Sequence, residues 1–172
     1  APHRLRLINQ GGRPLSRSQA GNAGLDAVRG DFLAFLDDDD SVAPDHYARL
    51  LAASDGQGIP YAGIQLIDSE NPEQPLGEFT EAYEDGRLLL GNFSPIHAPL
   101  VPAHLLQHGI RFDDTLPLYE DWDFWLQLNR HARFYYTGHI TGIYNTCGTS
   151  GVNPARVQED AKRDATLALY AR

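Results

Sequence analysis

The 172-residue chain has no methionine, a single cysteine (Cys147), a single lysine (Lys162) and no apolar run approaching the roughly 20 residues that a bilayer span requires. One thiol cannot close an internal disulfide, so a disulfide-stapled secreted scaffold is excluded and a reducing, cytoplasmic setting is expected. The chain begins Ala1-Pro2-His3, with neither an initiator methionine nor a charged-then-apolar leader, and is expected to be a piece of a longer polypeptide. Disorder is excluded as well, since 42% of the residues are hydrophobic and 22% charged. At this length a single domain is the expectation. No internal repeat or low-complexity stretch interrupts it.

Basic residues are also scarce, because 14 Lys and Arg against 23 Asp and Glu leave a net charge of −9. The deficit is uneven. Residues 1–36 carry +3, from Arg4, Arg6, Arg13, Arg17 and Arg29 against Asp26 and Asp31, so the remainder carries −12. Such an acidic body repels a nucleic-acid backbone, and nucleic acid is not an expected partner. An anionic ligand would need a cation between itself and the protein carboxylates.

Patterning along the chain alternates strand and helix signals, which predicts an α/β fold. Leu5, Leu7 and Ile8 read as a short strand, and residues 10–14 as a turn. Ser16 or Ser18 caps a helix running to about Arg29, with Gly30 suited to a left-handed end. The apolar run 32–36 predicts a buried parallel strand. Pro44 opens a helix over 43–53 in which Tyr47, Leu50 and Leu51 share a face, and 59–67 reads as a further strand followed by a polar loop over 68–74. Downstream, the expectations are a helical turn at 87–90, a strand at 97–101 and a helix at 102–108 closed by Gly109. A helix then begins near Tyr119, with Trp122, Trp125 and Leu126 facing a core, followed by paired strands at 133–137 and 139–144. The segment 148–151 reads as a loop, and Pro154 opens a terminal helix that includes Val157, Ala161, Ala165, Leu167 and Leu169.

Two acidic concentrations carry the chemistry. Asp37, Asp38, Asp39 and Asp40 follow the apolar run directly. Adjacent aspartates are ordinarily a solvated loop, but these leave the carboxyl end of a predicted buried strand, where open α/β sheets gather ligands. A divalent cation relieves their mutual repulsion, and hard ions such as Mg²⁺ or Mn²⁺ favour oxygen donors. The second concentration comprises Asp113, Asp114, Glu120, Asp121 and Asp123. Acids in a first helical turn are commonly dipole partners whose pKa falls, which is the plain reading of Glu120 and Asp121.

The stretch 15–40, Leu-Ser-Arg-Ser-Gln-Ala-Gly-Asn-Ala-Gly-Leu-Asp-Ala-Val-Arg-Gly-Asp-Phe-Leu-Ala-Phe-Leu-Asp-Asp-Asp-Asp, resembles the central signature of family 2 glycosyltransferases. Phe112-Asp113 and Glu120-Asp121-Trp122-Asp123-Phe124-Trp125 resemble that family's acceptor-side motif. The resemblance implies a GT-A (Rossmann-like) fold with a mixed, mostly parallel sheet flanked by helices, here N-terminally incomplete over residues 1–172 because the family's first strands would precede Leu5. It implies a metal-dependent, inverting transfer from a nucleotide-diphosphate sugar to a saccharide or lipid-linked acceptor. Asp37 and Asp39 would be the Asp-x-Asp pair holding Mn²⁺ or Mg²⁺, with Asp39 the firmer metal ligand and Asp37 reaching the ribose. Asp38, Asn22 and Arg17 complete the implied donor-binding set, Asp40 serves nearby, and Asp121 becomes the catalytic base. The setting implied is bacterial surface polysaccharide or glycoconjugate synthesis, at the inner face of the membrane, with peripheral association through the parent polypeptide.

Some residues depart from the pattern. The family's Ala-Arg-Asn-x-Gly appears as Ala20-Gly21-Asn22-Ala23-Gly24, so an arginine near the donor is missing and Arg13 or Arg17 is the available substitute. Tyr144-Asn145-Thr146-Cys147 stands where a metal-binding histidine is often found, with His139 out of register. His104 and His108 lack a third zinc ligand, His97 is either structural or an acceptor contact, Trp122 either stacks on a sugar or packs, and Cys147 has no basic neighbour to activate it. Two other classes fit parts of the sequence. A haloacid-dehalogenase-like phosphatase would use Asp37 as nucleophile and Asp39 as acid, but Lys162 is too near the end for its lysine. The other is a non-catalytic, transferase-like binding or scaffolding domain.

Overall fold

A computed structural model describes residues 5–8, 11–146 and 159–171. Ser16 starts the first helix, α1 (Arg17–Asp26), through a capping box: its hydroxyl accepts from the Gln19 N–H, and the Gln19 side chain accepts from the Ser16 N–H. The helix stops at Asp26, three residues short of the expected Arg29. Residues 5–8 form no strand, and Leu5 and Leu7 stand in solvent. The apolar run after α1 contributes only β1 (Phe32–Leu33), which pairs antiparallel with β5 (Val101–Pro102) instead of lying in a parallel sheet. Only Leu33 of the run is fully buried and Leu36 is exposed, so continuous hydrophobicity overstated the burial and carried no information on strand direction.

The main sheet has four strands in the order β2 (Ser41–Val42), β6 (Phe134–Thr146), β3 (Ile59–Asp68), β4 (Pro75–Phe79). It is mixed: β3 and β6 run parallel, whereas β2 on β6 and β4 on β3 are antiparallel. The two strands expected over 133–144 are one strand, β6, whose register against β3 shifts between Tyr61↔Tyr136 and Gly63↔Ile140. Gly138 lies in that shift at φ 80°, a left-handed conformation that glycine adopts without a Cβ clash. Part of the polar loop expected over 68–74 is a turn leading into β4.

Helices cover this sheet. In α2 (His46–Ala53) the buried residues are His46 and Leu50, while Tyr47 and Leu51 of the expected apolar face are exposed. The short α3 (Arg87–Leu90) buries Leu88. A 3-10 turn, Ala103–His108, stands where an α-helix was expected, and Gly109 ends it at φ 76°. The central helix, α4 (Glu120–Asn129), drives Trp122, Phe124, Trp125 and Leu128 into the core. Phe112 stacks on Phe124 at 4.3 Å between ring centroids, with Phe35 edge-on to both. Trp122 is a core residue whose indole N–H donates to the Leu88 carbonyl at 2.7 Å. The terminal helix α5 (Glu159–Tyr170) packs Ala165 and Leu169 inward. Cys147, the 148–151 loop, Pro154 and Val157 lie outside the described residues. Among the described residues, no helix is long and apolar enough to cross a membrane.

Candidate active site

The acidic turn sits between β1 and β2, and the pairing of β2 with β6 fixes it beside the end of β6. The Asp40 N–H closes the turn on the Asp37 carbonyl at 3.3 Å. Two bonds from Asn145 hold it in place: its N–H donates to Asp40 Oδ1 at 2.9 Å and its amide to the Asp39 carbonyl at 2.7 Å. Carboxylate oxygens of Asp37, Asp39 and Asp40 lie within 4.8 Å of one another, an all-oxygen set that suits a hard divalent cation better than a soft one. Asp38 is exposed and is not part of this set.

Asp121 enters the same cavity as Asp37 from the first turn of α4. A cavity of about 310 Å³ is lined by Asp37, Glu120 and Asp121 together with Phe35, Pro95, Ile96, Phe112, Tyr119 and Tyr144. Asp121 accepts from the Asn92 amide at 2.7 Å and from the Trp122 N–H at 2.8 Å. Burial, and then the neighbouring Glu120 charge, push its carboxyl up to about 6, in spite of those two donors and Arg17. The dipole-stabilised, lowered pKa expected of a first-turn acid is therefore reversed, because desolvation outweighs the helix terminus here. Tyr119, which begins α4, adopts φ 67°, and it is the only non-glycine residue with positive φ among those described. Such strain is commonly stored next to reacting groups.

Charge is concentrated around the cavity. Burial first, then Asp40 and Asp39, raise the Asp37 carboxyl above its ordinary value, while His97 and Arg17 oppose them. The Tyr144 phenol feels Asp40, Asp39, Asp121 and Asp37, all of which add to burial in raising its pKa. Arg17 is the one basic residue among the described residues lining the cavity, and its guanidinium pairs with Glu120 at 3.0 Å.

The other residues singled out from the sequence fall elsewhere. The Asn22 side chain is engaged with the backbone of Phe112, donating to its carbonyl at 2.8 Å and accepting from its N–H at 3.0 Å. It lines a second, shallower depression together with Arg13. Gly21 borders the main cavity, and a Cβ there would lie 2.7 Å from the Phe112 ring, so that ring fills the space an arginine side chain would cross. His108 stacks on His131 at 3.8 Å rather than pairing with His104. His97 is fully buried, with Nδ1 3.1 Å from Asp40 Oδ2. Asn92, Asn145 and Tyr144 were not singled out as site residues. They reach the site across 29, 106 and 107 residues of chain from Asp121, Asp39 and Asp37, and no local spacing reports such contacts.

These observations define a GT-A-like mixed α/β domain with two acidic clusters opening on one cavity. The chain belongs to glycosyl transferase family 2, whose model matches residues 1–106; that stretch includes the acidic turn but ends before Asp121. An uncharacterized glycosyltransferase of Rickettsia prowazekii (strain Madrid E) is 26% identical over 129 residues, covering 69% of this chain and 41% of its own length. One from Rickettsia typhi is 25% identical over the same extent. Among solved structures, S. aureus TarS 1-349 in complex with UDP-GlcNAc has a TM-score of 0.62 at 18% identity, covering 87% of this chain and 44% of that one. Its complex with UDP has a TM-score of 0.56 at 16% identity. At such identities the structural likeness establishes the fold. The chain spans less than half the length of these relatives.

Proposed function

We propose that residues 1–172 belong to a single, partial glycosyltransferase domain that moves a sugar, with inversion, from a nucleoside-diphosphate donor to an acceptor hydroxyl. The observation that carries this reading is the shared cavity, which Asp37 and Asp121 both line. UDP-GlcNAc and UDP in the TarS complexes support a nucleotide-sugar donor. A divalent cation bound by Asp39 and Asp37, Mn²⁺ or Mg²⁺, would supply charge neutralisation for the departing diphosphate. Asp37 and Asp38 border the donor side, and Arg17 offers its guanidinium to the diphosphate in competition with Glu120.

Asp121 has the properties of a general base. A carboxyl near pH 6 is mostly ionised at neutral pH, yet basic enough to take a proton from a hydroxyl attacking the anomeric carbon. The Asn92 and Trp122 donors aim its two oxygens. Attack from the Asp121 side, with departure toward the acidic turn, inverts the anomeric centre. The aromatic and apolar walls at Phe35, Ile96, Phe112 and Tyr144 suit the C–H faces of a sugar ring, which supports a saccharide or lipid-linked saccharide acceptor in surface glycan assembly.

Calorimetry with UDP and Mn²⁺ on the full polypeptide, paired with donor turnover, tests this reading. D39A should abolish metal-dependent nucleotide binding, and D121N should bind normally while losing turnover. Parent-like behaviour of both variants overturns the mechanism. Normal turnover in D121N alone removes Asp121 as the base, whereas absence of both nucleotide binding and turnover in the wild type returns the chain to the non-catalytic class.

A further inference from the structure

His97 belongs to neither acidic cluster, yet it touches both the acidic turn, at Asp40, and the cavity lining, at Tyr144. It is wholly buried, and its Nδ1 stands 3.1 Å from Oδ2 of Asp40, whose side chain is only 2% exposed. Among the described residues neither of these two atoms makes a hydrogen bond of regular geometry, so the 3.1 Å approach to the imidazole is the polar contact that Asp40 Oδ2 has. An uncompensated buried carboxylate is costly, so Asp40 depends on this imidazole. On its other side the ring lies nearly parallel to Tyr144, at 11° and 6.3 Å between centroids, and Tyr144 is part of the cavity wall. The fold leaves room for it: a Cβ on Gly142 would come within 3.2 Å of the His97 ring.

Asp40 therefore faces inward. Its Oδ1 takes the Asn145 N–H and its Oδ2 faces His97, while Asp37 lines the cavity and Asp39 stays within 4.8 Å of both through its carboxylate. We infer that His97 is a positioning residue for donor and metal binding: through Asp40 it sets the spacing of Asp37 and Asp39, and through its stack it sets Tyr144. The inference rests on the transferase reading above. Asn145 completes the same clamp by holding the Asp39 carbonyl.

The two amide substitutions of His97 separate positioning from packing. An asparagine amide nitrogen can occupy the place of Nδ1 and donate to Asp40, whereas a glutamine amide reaches toward the place of Nε2. Glutamine is nonetheless closer to histidine in volume. Mn²⁺ and Mn²⁺·UDP dissociation constants are measured on the full polypeptide by electron paramagnetic resonance, alongside melting temperatures. H97Q should weaken Mn²⁺·UDP binding by roughly 10- to 100-fold, the range seen when outer-shell partners of a metal site are lost, and H97N by less than about threefold. Melting temperature should fall at least as far in H97N, because it loses more volume. N145A, which leaves the His97 packing untouched, should weaken binding by roughly tenfold and provides the test if the histidine variants do not fold. The inference is overturned if H97N binds no better than H97Q, if H97Q binds like the wild type, or if N145A changes nothing. D39N separates the two levels of argument. Loss of binding in D39N with retention in H97Q sinks only the role of His97, whereas wild-type binding in D39N sinks the transferase reading and this inference with it.

Discussion

Replacing Asp121 with asparagine should remove turnover and, at neutral pH and above, make the protein more stable. The Asp121 carboxyl titrates at about 6 in the fold against 3.8 ordinarily, so the folded state favours its protonated form. The sign follows from linkage: this favourable contribution is complete below pH 3.8 and is lost as pH rises through about 6. Two pKa units correspond to about 3 kcal/mol, a ceiling because the carboxylate meets water on its cavity side. Asparagine carries no charge but turns one hydrogen bond against the Asn92 amide, costing about 1 kcal/mol. D121N should therefore exceed the wild type by roughly 1–2 kcal/mol at pH 8 and fall below it by about 1 kcal/mol at pH 4. Urea unfolding of both proteins across this range, with linear extrapolation, measures the difference. A stability difference that stays flat from pH 4 to pH 8 would mean that Asp121 titrates alike folded and unfolded, and the argument from burial would fail. Turnover should drop by roughly 10²- to 10⁴-fold in the same variant, as expected for loss of a general base.

Other consequences concern how the site is supported. S16A removes the capping box at the start of α1, the helix that delivers Arg17 to the cavity, and should cost about 1 kcal/mol in urea unfolding. N22A breaks both bonds between α1 and the Phe112 backbone and should cost about 2 kcal/mol; unchanged stability would show that the tether is not formed in solution. G142A forces a methyl group into Ile64 Cδ1 and the His97 ring, and should lower stability by roughly 1–3 kcal/mol while also weakening Mn²⁺·UDP binding. A melting temperature equal to that of the wild type would refute the close packing at that point.

Elements specified by local chemistry were legible in the sequence. The α1 cap, the 59–67 strand, the Gly109 terminus and the burial of Trp122 and Trp125 each follow from a short-range pattern of side chains. What failed depended on partners distant in sequence. Residues 5–8 alternate like a strand but have no neighbour to pair with among the described residues. The 32–36 run is as apolar as a parallel strand, but the available partner is β5, which runs the other way. In α2 Leu50 of the expected face is buried, but the buried stripe runs through His46, whose imidazole bonds to the Thr141 hydroxyl at 2.7 Å, and Tyr47 and Leu51 are left exposed. The candidate site divides along the same line. Its acids stood out as clusters and His97 as a candidate contact, whereas Asn92, Tyr144 and Asn145 are ordinary residues whose importance lies in their contacts across the fold.

The charge of the cavity limits what can enter it. Asp37 and Asp121 face the space directly, Asp39 and Asp40 add their field through the turn, and Arg17 already spends its charge on Glu120. A diphosphate cannot approach this array alone, since like charges at such distances in a partly desolvated cleft repel strongly. Donor binding in the proposed reaction must therefore be coupled to a cation, and each should raise the affinity for the other. Burial is the main cause of the raised pKa values of Asp37 and Asp121, and the repulsion that excludes a bare diphosphate adds to it, from Asp40 and Asp39 on Asp37 and from Glu120 on Asp121. Neutralising the acidic turn with a cation should consequently lower the Asp37 pKa and reduce the field on Tyr144, leaving Asp121 governed by its own burial. In the donor complex, the pH dependence of turnover should then report one group, near 6, with activity rising as that group ionises. A profile that falls through that range, or that disappears in D121N without loss of rate, would show that the proton is taken by another group.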